Sequence, residues 1–456
     1  MPEFPFDRRK FLGGGAALLA AAAAERLSAG QSLAPLRVAV VGTGARGCDL
    51  IRALATIDSA EIVAVCDNYE PHLAHGAEFA GPQAKTYRDF ARMLKDVRPA
   101  AVVVAAPLAL HYEMCLAALD AGAAVFCEKL MCYSLDQARR LAAEVERRGA
   151  VFQVGLQRRA NAVYRQAVAM VETGMLGEIV AIKCQWHRNN DWRRPIPVPR
   201  GDSRGAGLER QLNWRLYRDT SQGLMAELAS HQIDVANEVL AGHPTRVLAS
   251  GGIDHWRDGR EVFDNVFCVY EYVVPRRGAV GPARSSSAQS GGVVQSPNAP
   301  SAGADPGSYT VRVSYSSIQN NAFEGASELI LGTRGTLFLT TKKGLFYTEE
   351  QTAARPASTA GPASPAAAEQ EAALVTSGKT LKMSNDPWAF RGKPFEIDVE
   401  SDDTRDELVS FVHAAARGDR QTACSASAGL INAATILMAN EALYSGGVAA
   451  WPADLA

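Results

Sequence analysis

Val40-Val41-Gly42-Thr43-Gly44-Ala45-Arg46-Gly47 is the stretch on which the fold turns. It closes a β-rich run, Arg37 to Val41, and opens a segment whose Leu50, Ile51, Leu54 and Ala55 fall on one helical face. A strand that passes through glycines into a helix makes a seat for a diphosphate. Gly42 permits the tight turn, Gly44 lets the backbone approach the anion, Gly47 allows close helix packing, and the helix N-terminus favours negative charge. Thr43, Ala45 and Arg46 complete the turn. A second strand, Glu61 to Cys66, ends at Asp67, 20 residues past the last glycine, where a carboxylate can take both ribose hydroxyls. That carboxylate would repel a 2′-phosphate, so charge favours NAD; Arg46 and Asn68 keep NADP open.

Outward from this motif, short β-rich runs alternate with amphipathic stretches, the pattern of βαβ units on a parallel sheet. The strand Ala101 to Ala105 ends at Pro107, the helix His111 to Ala121 stops at Gly122, and Ala124 to Cys127 forms another strand. Ser134 is placed to cap a helix from Leu135 to Arg148, which ends at Gly149. Residues 35–150 are therefore expected to form a Rossmann dinucleotide-binding domain. Residues 151–456 carry longer β-rich segments with few helices, the pattern of an α/β domain with a large, mostly antiparallel open sheet. Two segments interrupt it, Arg276 to Ser308 and Gln351 to Ser377, rich in Ser, Ala, Gly and Pro and expected to be flexible surface insertions.

Lys plus Arg number 47 against 49 for Asp plus Glu, which leaves no electrostatic footprint for nucleic acid and points to a small-molecule partner. Eight cysteines are too sparse for a disulfide scaffold, and Cys66, Cys115, Cys127 and Cys184 sit in apolar runs as core residues. No Cys-x-x-Cys or His-x-x-x-His spacing suggests a metal. Residues 1–34 have the shape of a leader: Arg8, Arg9, Phe11 and Leu12 precede a short Ala/Gly/Leu run and resemble a twin-arginine signal. The apolar run falls short of the roughly 18 residues that span a bilayer, so export without a permanent anchor, to the periplasm, is expected. An exported enzyme meets little fresh nucleotide, so the cofactor should be tightly retained.

Five ordered motifs carry a family resemblance: Val40-Val41-Gly42-Thr43-Gly44, Val65-Cys66-Asp67, Ala106-Pro107 with His111, Val125-Phe126-Cys127-Glu128-Lys129, and Val154-Gly155-Leu156-Gln157-Arg158-Arg159. Together they resemble the glucose-fructose oxidoreductase and inositol dehydrogenase family, written Gfo/Idh/MocA. The resemblance implies a second domain whose open sheet supplies the substrate pocket and often an oligomer interface, hence a homo-oligomer. It also implies hydride transfer between a nicotinamide and a ring carbon of a sugar or polyol. Pro107, His111, Glu128, Lys129 and Gln157 join the glycine loop and Asp67 as cofactor contacts. Two departures stand out: Glu128-Lys129-Leu130 replaces the usual Glu-Lys-Pro, and Glu227-x-x-x-His231 replaces the frequent Asp-x-x-x-His.

Removing a hydride from a secondary alcohol needs a base for the hydroxyl proton and a positive charge for the developing alkoxide. His231 is the expected base and Lys129 the cation, with the roles open to exchange. A spacing of four should set Glu227 beside His231 on one helical face, where it would fix or relay the imidazole proton. Sugar hydroxyls call for charged forks and aromatic walls, which nominates Arg159, Tyr164, His187, Trp192, Trp214, Arg215 and Tyr217, with Arg215 and His187 foremost. Two other functions fit the same residues: a redox-neutral glycosidase or epimerase that oxidises the sugar transiently, and a cofactor-holding sugar-binding protein without turnover.

Overall fold

The computed structural model describes residues 34–276, 307–349 and 394–455. All of the expected leader but Ala34, all of the expected insertion Arg276 to Ser308 but its ends, and the whole of the expected insertion Gln351 to Ser377 lie outside the described residues.

Six strands, β1 (Leu36–Val41), β2 (Ala60–Cys66), β3 (Lys85–Tyr87), β4 (Ala101–Val104), β5 (Ala124–Glu128) and β6 (Phe152–Gly155), form a parallel sheet in the order β3-β2-β1-β4-β5-β6. Helices cover both faces, so the central strands are continuously apolar: Val38 to Val41 and all of β4 are buried. Strand order reverses between β1 and β4, and a ligand crevice opens beyond their carboxyl ends, between Gly42 and Ala105. The helix Leu135–Arg148 starts in a capping box, in which Ser134 accepts from the Gln137 N–H and the Gln137 side chain answers the Ser134 N–H. The domain runs past the expected limit at residue 150, because Val125 pairs with Phe152 and Cys127 with Val154 to add β6 to the sheet.

The second sheet has nine strands: β7 (Ile179–Asn189), β8 (Arg246–Gly252), β9 (Asn265–Pro275), β10 (Ser308–Ile318), β11 (Asn320–Gly332), β12 (Gly335–Thr340), β13 (Lys343–Thr348), β14 (Phe395–Ile397) and β15 (Val448–Ala450). Their order is β14-β13-β12-β11-β7-β10-β9-β8-β15, antiparallel except for β7 beside β10. Burial alternates along β9: Val266, Cys268, Tyr270 and Tyr272 face the helices, while Phe267, Val269 and Val273 face outward and are exposed.

Helix Asp403–Arg417 belongs in sequence to the second domain but packs on the first. Leu408, Phe411 and Val412 are fully buried among Val38, Val40, Leu50, Ile51, Leu54 and Phe126. Burial of such side chains contributes about 1.5–3 kcal/mol each, so the division at residue 150 is bridged by a shared core. All eight cysteines are buried and unpaired, as core residues should be.

Candidate active site

The glycine loop is fixed by steric exclusion. Gly42 has φ +87°, and a Cβ there would sit 2.5 Å from the Ala105 carbonyl; one on Gly47 would sit 1.8 Å from the Gly42 carbonyl. Gly44 differs, since its nearest neighbour would be the His72 ring at 3.8 Å, and its backbone faces an open cleft of about 100 Å³. Asp67, Pro107, Ala45 and Arg46 line the same cleft, with Asn68, Tyr69 and His72 beyond. Thr43 sits behind it, buried, and its N–H donates to Asp67 Oδ2 at 2.8 Å while the Tyr69 N–H donates to Oδ1 at 2.9 Å. Its task is to orient the carboxylate, and it does not line the cleft. A small cradle at a helix start with an oriented carboxylate at the far end fits a dinucleotide, and Gly44, Ala45 and Asp67 would hold it. Asp67→Asn is expected to lower NAD affinity about tenfold and to narrow the preference over NADP, because one charged acceptor is lost. Titration of both nucleotides checks this; an unchanged affinity ratio would remove Asp67 from ribose recognition.

Arg46 does not wait for a phosphate. Its Nε donates to Glu128 Oε1 at 2.6 Å, and its terminal nitrogens reach Thr404 Oγ1 at 2.8 Å and Glu407 Oε1 at 2.7 Å. The glycine turn is thereby tied to the strand-end Glu128 and to the returning C-terminal helix. Burial pushes Glu407 well above the ordinary carboxylate range, with Arg46 opposing.

His111 is buried with two partners: Leu130 O lies 2.8 Å from Nδ1 and Ala106 O 2.9 Å from Nε2. Carbonyl oxygens only accept, so both ring nitrogens must donate and the ring is an imidazolium. Burial opposes that charge, and the two carbonyls favour it, with His111 pushed up to about 9. The ring therefore clamps the turn after β4 to the turn that presents Lys129, whose peptide bond to Leu130 is cis. His111 and Glu128 both border the larger cavity.

Lys129, Glu227 and His231 meet where a π-helical turn, Met225–Ala229, runs into the helix Ser230–Val239. Such widened turns recur at functional sites because they free backbone groups. Here the Lys129 ammonium donates to the Ala226 carbonyl at 3.2 Å and the Glu227 carbonyl at 2.9 Å. The expected Glu227–His231 pairing is not formed. The wide turn breaks the simple four-residue register, and the Glu227 carboxylate instead accepts from Arg215 Nε at 2.8 Å and lies 3.8 Å from Lys129 Nζ. The His231 ring has no hydrogen-bond partner among the described residues and lies 5.6 Å from the Trp186 ring. Burial lowers His231 well below its usual range, with Lys129 and Arg158 adding to the effect, so it is neutral near pH 7. Burial also lowers Lys129, against the pull of Glu227.

A cavity of about 620 Å³ opens on Lys129, Glu227 and His231 and is walled by Gln157, Trp192, Trp214 and Arg215. Ala45, Arg46, Ala105, Trp214 and Arg215 border both this cavity and the dinucleotide cleft, which makes the two continuous. Four nominated substrate residues lie elsewhere. Arg159 is locked to Asp234 through two hydrogen bonds of 2.8 and 2.9 Å. The buried Tyr164 hydroxyl donates to Glu328 at 2.6 Å, and Tyr217 donates to Glu209 at 2.8 Å. His187 stands on the outer sheet face, bonded to Ser316 Oγ and the Phe323 carbonyl, because alternation along β7 sends its neighbours Trp186 and Arg188 inward. That alternation was the available signal: Ile182 and Cys184 are the apolar partners of residues 186 and 188, not of 187. Arg194 lies outside any regular element and gave no such signal, while His72 in the helix Glu70–Ala80 and Gln211 in the helix Gly205–Leu212 were not singled out from their helices.

Fold and paired clefts define a two-domain dinucleotide-binding protein. The chain belongs to the Gfo/Idh/MocA oxidoreductase family: residues 36–156 match its NAD-binding Rossmann-fold model and residues 164–295 its C-terminal domain model. Inositol 2-dehydrogenase 3 of Saccharopolyspora erythraea is 38% identical over 156 residues, 34% of this chain and 45% of that protein. D-glucoside 3-dehydrogenase of Escherichia coli is 34% identical over 155 residues, 34% of this chain and 44% of that protein. The chain thus spans less than half the length of these curated relatives. A levoglucosan dehydrogenase solved with NADH and levoglucosan shares the fold, with TM-score 0.63, 18% identity, and coverage of 92% of this chain and all of that one.

Proposed function

We propose that this protein is an NAD-dependent oxidoreductase that moves a hydride at a hydroxyl-bearing carbon of a sugar or polyol. The observation that carries this reading is the neutral, unpartnered His231 facing the same cavity as the Lys129 ammonium, in continuity with the dinucleotide cleft. NAD, when bound, accepts the hydride from the alcohol carbon. His231 takes the hydroxyl proton, and Lys129, anchored by two carbonyls, holds its charge against the oxygen as it becomes a carbonyl. Glu227 steadies Lys129 and Arg215 rather than the imidazole. The relatives' named substrates, inositol, a D-glucoside and levoglucosan, support a polyhydroxylated ring. A screen of sugars and polyols for absorbance at 340 nm tests the reading, and no change with any of them would count against it.

The pH profile of kcat/KM has a defined sign. A base lowered below 6.5 is deprotonated throughout the neutral range, so kcat/KM should hold as pH falls through 6.5 and decline only below it. An acid limb at or above 6.5 would exclude His231 as the base.

Tight cofactor retention is supported by a strap across the dinucleotide cleft, where Gln211 Nε2 of the helix Gly205–Leu212 donates to Asn68 Oδ1 at 2.9 Å. A retained cofactor also suits the redox-neutral reading, and release of aglycone from an aryl glycoside without added NAD would select it. Export by the Arg8-Arg9 leader and association through the exposed face of β9 belong to the same proposal.

A further inference from the structure

Six arginine and lysine side chains, Arg46, Lys129, Arg188, Arg193, Arg194 and Arg215, border the large cavity, beside the His111 ring, whose nitrogens both meet carbonyls. Carboxylates answer four of them: Glu128 and Glu407 for Arg46, Glu227 for Lys129 and Arg215, and Asp258 and Glu209 for Arg193. The guanidinium groups of Arg188 and Arg194 have neither a carboxylate nor a hydrogen-bond partner among the described residues; Arg194 meets Asn213 through its backbone alone. Of the other carboxylates on the wall, Asp49 is held by Arg52 and Asp191 by the Arg193 N–H. Burial lowers both Arg188 and Arg194 below the ordinary guanidinium range; at Arg194 the nearby Arg215 adds to it, and at Arg188 Tyr315 and the more distant Glu227 oppose it without reversing it, whereas the paired Arg46 and Arg193 are raised.

The two unanswered arginines differ in place. Arg194 borders the dinucleotide cleft as well as the cavity, so the cofactor's diphosphate can serve it. Arg188 borders only the larger cavity. Its guanidinium carbon lies 4.7 Å above the Trp186 ring, which in turn lies 5.6 Å from the His231 ring. The stack fixes the fork in place without neutralising it. No more than these two contacts in series separate the fork from the imidazole, a reach that one sugar ring and its substituent can bridge.

We propose that the substrate is an acidic carbohydrate, a hydroxylated ring bearing a carboxylate, sulfate or phosphate that Arg188 receives while the carbon to be oxidised faces His231. A planar fork matches such oxyanions in paired hydrogen bonds, and the Trp186 face gives the ring's C–H surface an apolar wall. A neutral sugar would leave the partly buried charge unanswered. The inference rests on the hydride-transfer reading for the reaction and on Arg188 alone for the charge.

The test compares matched sets on the protein with NAD supplied: glucose, glucuronate, glucose 6-sulfate and glucose 6-phosphate, and the corresponding galactose set. Turnover is followed at 340 nm and binding by calorimetry. One acidic series should exceed its neutral parent in kcat/KM by about tenfold or more, and Arg188→Met should collapse that ratio by about 10–100-fold, mostly through KM, with Arg188→Lys intermediate. Neutral sugars converted as well as the acidic ones, or an Arg188→Met effect equal on both, would overturn the acidic-substrate proposal and leave hydride transfer standing. Acidic sugars that bind in an Arg188-dependent way without forming NADH would support the anion site and remove the hydride-transfer reading. Acidic sugars that neither bind nor react would overturn the proposal.

Discussion

Lys129→Met is expected to lower kcat by about 10³–10⁴ while the protein still folds and binds NAD. The ammonium is anchored by the Ala226 and Glu227 carbonyls, which leaves its third proton for the substrate oxygen. Methionine keeps the length and the apolar stem but offers no charge at the point where an oxyanion develops. The loss should fall on kcat more than on KM, because the contact strengthens as the oxygen gains charge. Thermal stability should fall measurably but not abolish folding, since the Ala226 and Glu227 carbonyls lose their donor while the Glu227 carboxylate keeps Arg215 as its counter-charge. The measurement is steady-state kinetics on whichever sugar the screen identifies, alongside NAD titration. A variant with wild-type kcat would take Lys129 out of the chemistry, and one that no longer bound NAD would make it a cofactor residue instead.

The second large effect is predicted at Gly47→Ala. The added methyl would lie 1.8 Å from the Gly42 carbonyl, and backbone cannot swing aside as a side chain can. Either the helix Ala45–Leu54 moves away from the turn or the turn opens, and both displace the N–H groups that face the diphosphate. NAD affinity should fall more than 100-fold and stability by several kcal/mol, in line with other substitutions that force backbone to shift. Gly44→Ala is the informative contrast. Its methyl meets only the His72 ring at 3.8 Å, so the protein should unfold at its normal temperature, yet the methyl intrudes where the nucleotide approaches. If Gly47→Ala melted like the wild type and bound NAD, the steric account of the loop would be wrong.

Much of this was legible in the residues. The glycine spacing, the strand ending at Asp67 and the alternating elements foretold the parallel sheet, since local periodicity and turn chemistry decide those features. Lys129 was found through the ordered motifs and His231 through the Glu227-x-x-x-His231 spacing, and they do share a cavity. What sequence reading missed came from geometry that only the folded chain supplies. Glu227 was aligned with His231 by α-helical arithmetic, but the turn around it is π-helical. Arg159 and Tyr164 have the right chemistry for a sugar and instead spend their donors on Asp234 and Glu328, partners 75 and 164 residues away. His187 is the exception, because the period of two along β7 already assigned it to the wrong face.

The helix Asp403–Arg417 carries a consequence for biogenesis. Strands β1 to β6 are translated within about the first third of the chain, yet the apolar cluster that holds Leu50, Ile51 and Phe126 also takes in Leu408, Phe411 and Val412, and Arg46 finds two of its three partners on that late helix. A ribosome must therefore release most of the polypeptide before the nucleotide seat can mature. Until then the nascent half-molecule carries a greasy, unroofed flank, a natural handhold for chaperones.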